Sequence, residues 1–96
     1  MLVLITYDVN TETAEGKKRL RKVAKACQDY GQRVQDSVFE CLIDPAQLKQ
    51  IQATLEDVID TEKDSLRYYY LGDEWHGRVQ HVGAKSTLDM EGTLIT

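Results

Sequence analysis

The chain begins with a nearly uninterrupted apolar run, Met1-Leu-Val-Leu-Ile-Thr-Tyr7, which leads directly into Asp8. A run of this length and composition predicts a strand that is buried on both faces and is therefore central in its sheet. A carboxylate at the end of such a strand is held on a rigid scaffold where a ligand can reach it. No acidic residue near Asp8 in sequence follows a catalytic spacing, so its chemistry depends on what the fold brings to it.

Length and composition indicate one small soluble domain. The chain has 96 residues, 42% of them hydrophobic and 29% charged, which is typical of a globular protein with a limited core. No apolar run approaches the roughly 20 residues that a transmembrane helix needs, and no basic and apolar leader precedes the first strand. We therefore expect a cytoplasmic protein that does not bind membranes.

The cysteines and histidines do not indicate a metal site or a disulfide. Cys27 falls on a predicted helix and Cys41 on a predicted strand, so both are expected to pack as small hydrophobic side chains. His76 and His81 lie far from them in sequence and lack zinc-finger spacing. We therefore expect no zinc site.

Charge is distributed unevenly along the chain, although the formal net charge is only −4. Six of the 12 basic residues lie in one short segment: Lys17, Lys18, Arg19, Arg21, Lys22 and Lys25. Acidic residues gather elsewhere, notably at Glu56, Asp57, Asp60, Glu62 and Asp64. Such a chain can attract a polyanion on one face while it remains acidic overall. The alternative is that the basic segment is simply the solvated face of a helix.

The first helix is predicted from the polar segment 10–13 to about Tyr30. Its buried stripe follows helical spacing and consists of Leu20, Val23, Ala24 and Cys27. Gly31 directly after Tyr30 predicts a left-handed C-cap. Strands are then predicted at 33–35 and 38–43, joined by a turn at 36–37.

A second helix is predicted to begin at Asp44, with Asp44 as its cap and Pro45 at its first position. Strands follow at 65–71 and 78–83, separated by a turn at 72–77. The remaining residues, 84–96, are predicted to form a tail with a possible last strand at 93–96.

This order of elements predicts an α+β fold, a ferredoxin-like βαββαβ sandwich with an additional C-terminal strand. We assign residues 1–83 to the domain, including a fifth strand, and 84–96 to a tail that packs on a partner subunit. Two helices cover one face of such a sheet, and Tyr68 and Tyr70 should point to one side while Arg67 and Tyr69 point to the other. The uncovered face predicts a homodimer.

A homodimer changes what Asp8 can do. A two-fold axis near the end of the first strand would bring two Asp8 carboxylates together, and two carboxylates can hold a Mg²⁺ or Mn²⁺ ion that one would bind only weakly. Such an ion activates water or stabilises a phosphoryl transition state. The alternative is that Asp8 caps the turn at 10–13 through backbone N–H groups.

Two motifs together resemble a known family. An apolar strand ends in Tyr7-Asp8-Val9, and after a basic helix follows Tyr30-Gly-Gln-Arg33-Val-Gln-Asp-Ser37-Val-Phe39-Glu40. This combination resembles the small CRISPR-associated nuclease of the spacer-acquisition machinery, over nearly the whole chain. The resemblance implies a homodimer that works with the CRISPR integrase, and a metal-dependent endonuclease acting on double-stranded DNA or single-stranded RNA.

The resemblance also implies roles for individual residues. Asp8 matches the metal-binding acid and, with Tyr7, the catalytic positions. Arg19 or Arg21, together with Arg33 and Phe39, fall where the family's residues that face nucleic acid or are linked to activity lie. The basic segment itself adds Lys17 and Lys18 to Arg19, Arg21 and Arg33 as candidate nucleic-acid-binding residues, and Ser37, in the same motif as Phe39, is a further candidate for activity or packing.

Several of these residues have simpler explanations. Tyr7 at the end of a buried strand is more often part of a core, and Arg33 could pair with Asp29 or with the end of the helix. Phe39 can serve packing alone, and Ser37 is a turn residue with no base near it in sequence.

Two other functions compete with the nuclease. One is a non-catalytic dimeric scaffold that binds DNA and bridges integrase subunits, with Asp8 as a structural cap. The other is a small-molecule regulatory domain, which would leave the basic helix unexplained. The sequence does not choose between DNA and RNA.

Overall fold

The computed structural model describes residues 1–71 and 79–84. Within them lie five strands and two helices: β1 (Leu2–Asp8), α1 (Ala14–Gln28), β2 (Gln32–Gln35), β3 (Val38–Leu42), α2 (Pro45–Val58), β4 (Ser65–Leu71) and β5 (Val79–Gly83). The predicted turn at 72–77, His76, and nearly all of the predicted tail with its possible strand at 93–96 lie outside the described residues. Neither of the two described helices has the length and apolar character needed to cross a membrane.

The strands form one antiparallel sheet in the order β2-β3-β1-β4-β5. β1 therefore lies at the centre between β3 and β4, and β5 adds an edge strand beside β4. Helix α1 connects β1 to β2 and helix α2 connects β3 to β4, as in a βαββαβ unit. The predicted ferredoxin-like fold with an additional C-terminal strand is confirmed.

The core lies between the sheet and the two helices. Successive strand residues point to opposite faces, so every second residue of β1, namely Val3, Ile5 and Tyr7, enters the core. The other side chains of this core include Val23 and Cys27 from α1, Ile51 and Leu55 from α2, Phe39 and Cys41 from β3, and Leu66 and Tyr68 from β4. Burying each large apolar side chain contributes roughly 1.5–3 kcal/mol.

The face of the sheet that carries no helix, called here the helix-free face, is only partly covered. On β1, Leu2 and Leu4 are half-buried, so the prediction of burial on both faces is wrong for this chain, because both helices pack on the other side. Leu42 and Leu71, which pair with Leu2 from either side, are 78% and 41% exposed. Tyr69, on the same face, is buried. The central position of β1 is nevertheless confirmed.

Both helices begin at side-chain caps. Thr13 Oγ1 accepts the N–H of Gly16 at 3.0 Å at the start of α1. At α2, Asp44 Oδ1 accepts the N–H of Gln47 at 2.7 Å, and Gln47 Oε1 accepts the N–H of Asp44 at 3.0 Å. This reciprocal pair satisfies two backbone donors at the helix end, and Pro45 occupies the first turn as predicted.

Gly31 permits close packing and does not cap helix α1. The predicted left-handed cap is wrong, because α1 ends at Gln28, its C-cap Asp29 has right-handed helical angles, and Gly31 does not have a positive φ. A Cβ at Gly31 would lie 2.5 Å from the Sγ of Cys41, so the chain passes too close to β3 for any side chain. Both cysteines are buried free thiols, and the predicted packing role is confirmed.

A second close contact joins α1 to the loop that follows β1. Gly16 is buried, and a Cβ there would lie 2.0 Å from the backbone oxygen of Asn10. Only glycine permits this approach, because a methyl group at such a distance would overlap with backbone that cannot move away. The start of α1 is therefore fixed against the segment that follows Asp8.

We expect Gly16→Ala to destabilise the protein by about 1–3 kcal/mol through overpacking, although alanine is the better helix former by about 1 kcal/mol. Urea unfolding measures the change in the free energy of unfolding. Gln28→Ala, an exposed substitution on the same helix, is the matched control and should change it by less than about 0.5 kcal/mol. A Gly16→Ala protein as stable as the wild type would contradict the contact.

Candidate functional site

Asp8 is the last residue of the central strand, and its side chain is exposed. It pairs with Ser65 at the start of β4, on the helix-free face, together with Thr6 of its own strand. Because neighbouring residues of a strand point to opposite faces, the side chain of Tyr7 points away from Asp8 and into the core. The two predicted catalytic residues are therefore adjacent in sequence but separated by the sheet.

Tyr7 belongs to a cluster at the β2–β3 hairpin. Its hydroxyl donates a hydrogen bond to the backbone oxygen of Asp36 at 3.2 Å, and its N–H donates to the backbone oxygen of Ser37 at 3.1 Å. Its ring stacks on Phe39 with 6.2 Å between centroids. Burial raises the pKa of the Tyr7 hydroxyl, although the nearby Arg33 guanidinium partly offsets this. The hydroxyl therefore stays protonated at neutral pH.

Arg33 lies over the ring of Phe39, with 5.1 Å between its Cζ and the ring centroid, and does not pair with Asp29. This is a cation–π geometry. A β-bulge at Val34 interrupts the register between β2 and β3 next to this contact. Phe39 itself is fully buried. The structure thus brings Tyr7, Arg33, Ser37 and Phe39 together, and it leaves Asp8 outside this cluster.

The exposed basic residues of α1 form two groups. Lys17, Arg21 and Lys25 recur at every fourth residue and make one exposed row along the helix, called here the basic row. Lys18 and Lys22 instead line a groove of about 270 Å³ between α1 and α2, which also contains acidic side chains. These acids are Glu15 and Asp57. The basic row is therefore the better surface for a polyanion.

Arg19 differs from its neighbours on the helix, because its guanidinium is directed to the protein interior. Its side chain is only 17% exposed, and its Nε donates to Oδ2 of Asp64 at 2.8 Å. Nη2 of Arg19 also lies 3.4 Å from Oδ1 of the same carboxylate. The cation predicted to bind nucleic acid is thus engaged in an internal ion pair, and its role toward nucleic acid stays a prediction.

Asp64 belongs to the acidic segment before β4, but its role is structural. Its side chain is fully buried, and besides Arg19 it accepts the N–H of Asn10 at 2.9 Å and the N–H of Asp60 at 2.9 Å. Burial raises the pKa of a carboxyl, but the hydrogen bonds from Arg19, Asp60 and Asn10 and the charge of Arg19 together lower that of Asp64. The carboxylate is therefore charged at neutral pH.

The donor set for a metal ion within one chain is small. In the described ranges, His, Cys, Asp and Glu side chains form no group of three or more that could hold a metal ion. Asp8 has the right chemistry, because Mg²⁺ and Mn²⁺ prefer carboxylate oxygen, and it is exposed at the end of a rigid strand. Asp8 could therefore supply one ligand to such an ion, and the remaining ligands would have to come from outside this group of described side chains.

The chain is similar to known proteins of one family. Residues 1–79 match the family model described as CRISPR associated protein Cas2. The CRISPR-associated endoribonuclease Cas2 of Chlorobaculum tepidum is 61% identical over 95 residues, which cover 99% of both chains. The CRISPR-associated endonuclease Cas2 of Halalkalibacterium halodurans is 60% identical over 95 residues, again 99% of both. The crystal structure of Streptococcus pyogenes Cas2 at pH 6.5 superposes with a TM-score of 0.71 and 58% identity, covering 86% of this chain and 100% of that one.

The buried ion pair predicts a specific response to acid. Since the pKa of Asp64 is lower in the folded protein than in the unfolded chain, its contribution to stability is complete above the unfolded value of about 3.9 and is lost as pH falls through the folded value. We expect Asp64→Asn to be less stable by about 3 kcal/mol at neutral pH and to lose less stability on acidification than the wild type. Urea unfolding between about pH 2 and pH 7 measures the free energy of unfolding of each protein and its change with acidification.

Asp57→Asn, an exposed acid on α2, is the control for this experiment and should leave stability at neutral pH nearly unchanged. An Asp64→Asn protein with the wild-type stability and acid response would show that the pair contributes nothing.

Proposed function

Because the chain belongs to the family of CRISPR associated protein Cas2, we propose that it is a metal-dependent endonuclease of CRISPR adaptive immunity that hydrolyses phosphodiester bonds in DNA or RNA. The names of its relatives support the reaction: endoribonuclease specifies RNA as the substrate, and endonuclease leaves the nucleic acid unspecified. The observation that carries the proposal is the exposed Asp8 carboxylate at the end of the buried central strand. Its backbone is held by the sheet while its side chain faces solvent.

The proposed active unit is a homodimer, in which the helix-free faces meet and bring two Asp8 residues to a common axis. Support comes from the apolar residues on that face, the half-buried Leu2 and Leu4 and the exposed Leu42 and Leu71, because neighbouring leucines that are open to solvent favour burial against a second copy. Asp8 shares this face with them. Mg²⁺ or Mn²⁺ held by both carboxylates would stabilise the negative charge that develops on the phosphodiester.

The basic row would bind the nucleic acid. Lys17, Arg21 and Lys25 are exposed on one side of α1, and cations at this spacing contact phosphates without reading sequence. Phosphate contacts of this kind are available in both DNA and RNA, so they agree with either substrate. Arg19, by contrast, is expected to act through Asp64 and not on phosphate.

The second candidate function is that of a scaffold that binds DNA and does not cleave nucleic acid in the cell. It would bind double-stranded DNA on the basic row and join subunits of the CRISPR integrase during spacer acquisition. The observation in its favour is that Asp8 is not part of a group of three or more metal-binding side chains within the described ranges. The two functions differ in what the loss of the Asp8 carboxylate does.

We expect Asp8→Asn to lose at least about 100-fold in cleavage, because a neutral amide no longer holds the cation, which supplies several kcal/mol of transition-state stabilisation. The assay uses duplex DNA and single-stranded RNA with Mg²⁺, Mn²⁺ or EDTA, and it measures binding in the same samples. Size-exclusion chromatography checks that fold and oligomeric state are retained.

Asp57→Asn removes an exposed acid elsewhere and is the matched control, with cleavage expected at the wild-type rate. Full cleavage by Asp8→Asn would contradict the proposed mechanism. Binding by both proteins without cleavage by either would support the scaffold.

We expect the double variant Lys17→Gln, Arg21→Gln to bind duplex DNA with a weaker salt dependence, because each lost phosphate contact lowers the slope of log affinity against log salt by about 0.9. Fluorescence anisotropy at several salt concentrations measures the slope, which should fall by about 1.8. The control, Lys49→Gln with Lys63→Gln, makes the same change in charge at exposed sites outside α1. Equal slopes for the two double variants would show that the basic row has no special role.

A further inference from the structure

Asp64 is connected both to the chain that follows Asp8 and to the strand that pairs with Asp8. On one side, the N–H of Asn10, two residues after Asp8, donates to Oδ1 of Asp64 at 2.9 Å. On the other side, Ser65, which follows Asp64 directly, is the register partner of Asp8 in β4. The side chain and the main chain of Asp64 therefore hold the two segments between which Asp8 lies.

Asp64 is itself fixed by several hydrogen bonds. Its N–H donates to the backbone oxygen of Asp60 at 2.7 Å, and its backbone oxygen accepts the N–H of Ala84 at 2.9 Å. Its carboxylate accepts the N–H of Asp60 and the guanidinium of Arg19. Helix α1, the loop before β4 and the end of β5 thus meet at this residue.

The end of β1 needs such support because its pairing becomes one-sided there. On the β3 side the register of β1 ends at Thr6 and a last backbone bond joins the N–H of Tyr7 to the oxygen of Ser37, whereas the register with β4 continues to Asp8. The ends of strands fray unless other contacts hold them, and a group that binds a metal ion or a reacting phosphate must be held within about 0.5 Å of its working position. The bond from Asn10 to Asp64 closes the chain just past the last paired residue.

We infer that Asp64 is a positioning residue for Asp8: its carboxylate, neutralised by Arg19, holds the chain past the end of β1 so that the Asp8 side chain keeps a fixed position. The inference rests on the proposed function for its consequence in catalysis. Neutralisation by Arg19 matters because a fully buried carboxylate without a compensating cation would be costly, and Asp64 could then not hold this position. Arg19 thus contributes to the site from the inside of the protein.

The experiment compares Asp64→Ala and Asp64→Asn with Tyr70→Phe in steady-state cleavage and in amide hydrogen exchange. Asp64→Asn keeps the side-chain volume and serves if the alanine variant does not fold. Tyr70→Phe is the control of stability, because its hydroxyl donates to Gln80 at 2.8 Å and accepts from Gln52 at 3.0 Å. It lies on β4 opposite Val3, far along the strand from the Asp8 end.

We expect the Asp64 variants to lose about 10- to 100-fold in kcat, since a displacement of about 1 Å costs up to about 100-fold, while KM for the nucleic acid changes by less than about twofold. The basic row is intact in these variants, which is why binding should persist. Tyr70→Phe should keep its kcat. With every protein assayed well below its own Tm, a kcat loss in the Asp64 variants no larger than in Tyr70→Phe would overturn the inference.

Hydrogen exchange separates this inference from the proposed function. The Asn10 amide should exchange at least about tenfold faster in the Asp64 variants than in the wild type, and at the wild-type rate in Tyr70→Phe. If the wild type does not cleave any substrate, the proposed nuclease function fails, and exchange alone decides whether Asp64 holds the end of β1. Unchanged Asn10 exchange in the Asp64 variants would overturn the inference with or without cleavage.

Discussion

The interaction on which this fold most depends at its candidate site is the buried carboxylate of Asp64 with its guanidinium and backbone donors. A buried ion pair adds little net stability, because the desolvation of both charges offsets their attraction. Removing one partner is costly, however, because the other charge is then left without compensation. The pair therefore holds one geometry and excludes alternatives. That geometry joins α1 to the loops at one end of the sheet, which is the end that carries Asp8.

The alternation of side chains along β1 explains how one strand serves both the core and the candidate site. Val3, Ile5 and Tyr7 enter the core, while Asp8 is presented on the other face. The side chains of Tyr7 and Asp8 therefore lie on opposite faces of the sheet, although the two residues are neighbours in sequence. Tyr7 holds the β2–β3 hairpin through hydrogen bonds to the backbone of Asp36 and Ser37. Asp8, the last residue of β1, is exposed on the helix-free face.

Local signals in the sequence were sufficient for the elements and their order. The unbroken apolar run of β1 predicted its central place, and Asp44 with Pro45 predicted the start of α2, because these effects act within a few residues. Gly31 was assigned to a helix cap because a sequence shows which residue ends a helix pattern but not which strand packs beside it. Its actual constraint is the sulfur of Cys41, a contact between two elements.

Of the two residues in the ion pair, only the arginine could be predicted from the sequence. Arg19 lies three residues after Gly16 and four before Val23, which are both buried residues of α1, and a charged side chain beside such a face requires a partner. Nothing distinguishes Asp64 from the other acids of its loop, because the partner of a buried charge is set by the packing of distant segments. The spacing of Arg19 from the buried residues of α1 is the signal that separates it from the exposed cations around it.

The contact between Gly16 and Asn10 gives the molecule a mechanical property. Because α1 rests on the backbone just past the central strand without an intervening side chain, close packing leaves the start of the helix no room to shift toward the strand end. A nucleic acid bound along this helix would therefore lie at a nearly fixed distance from the carboxylate at the strand end.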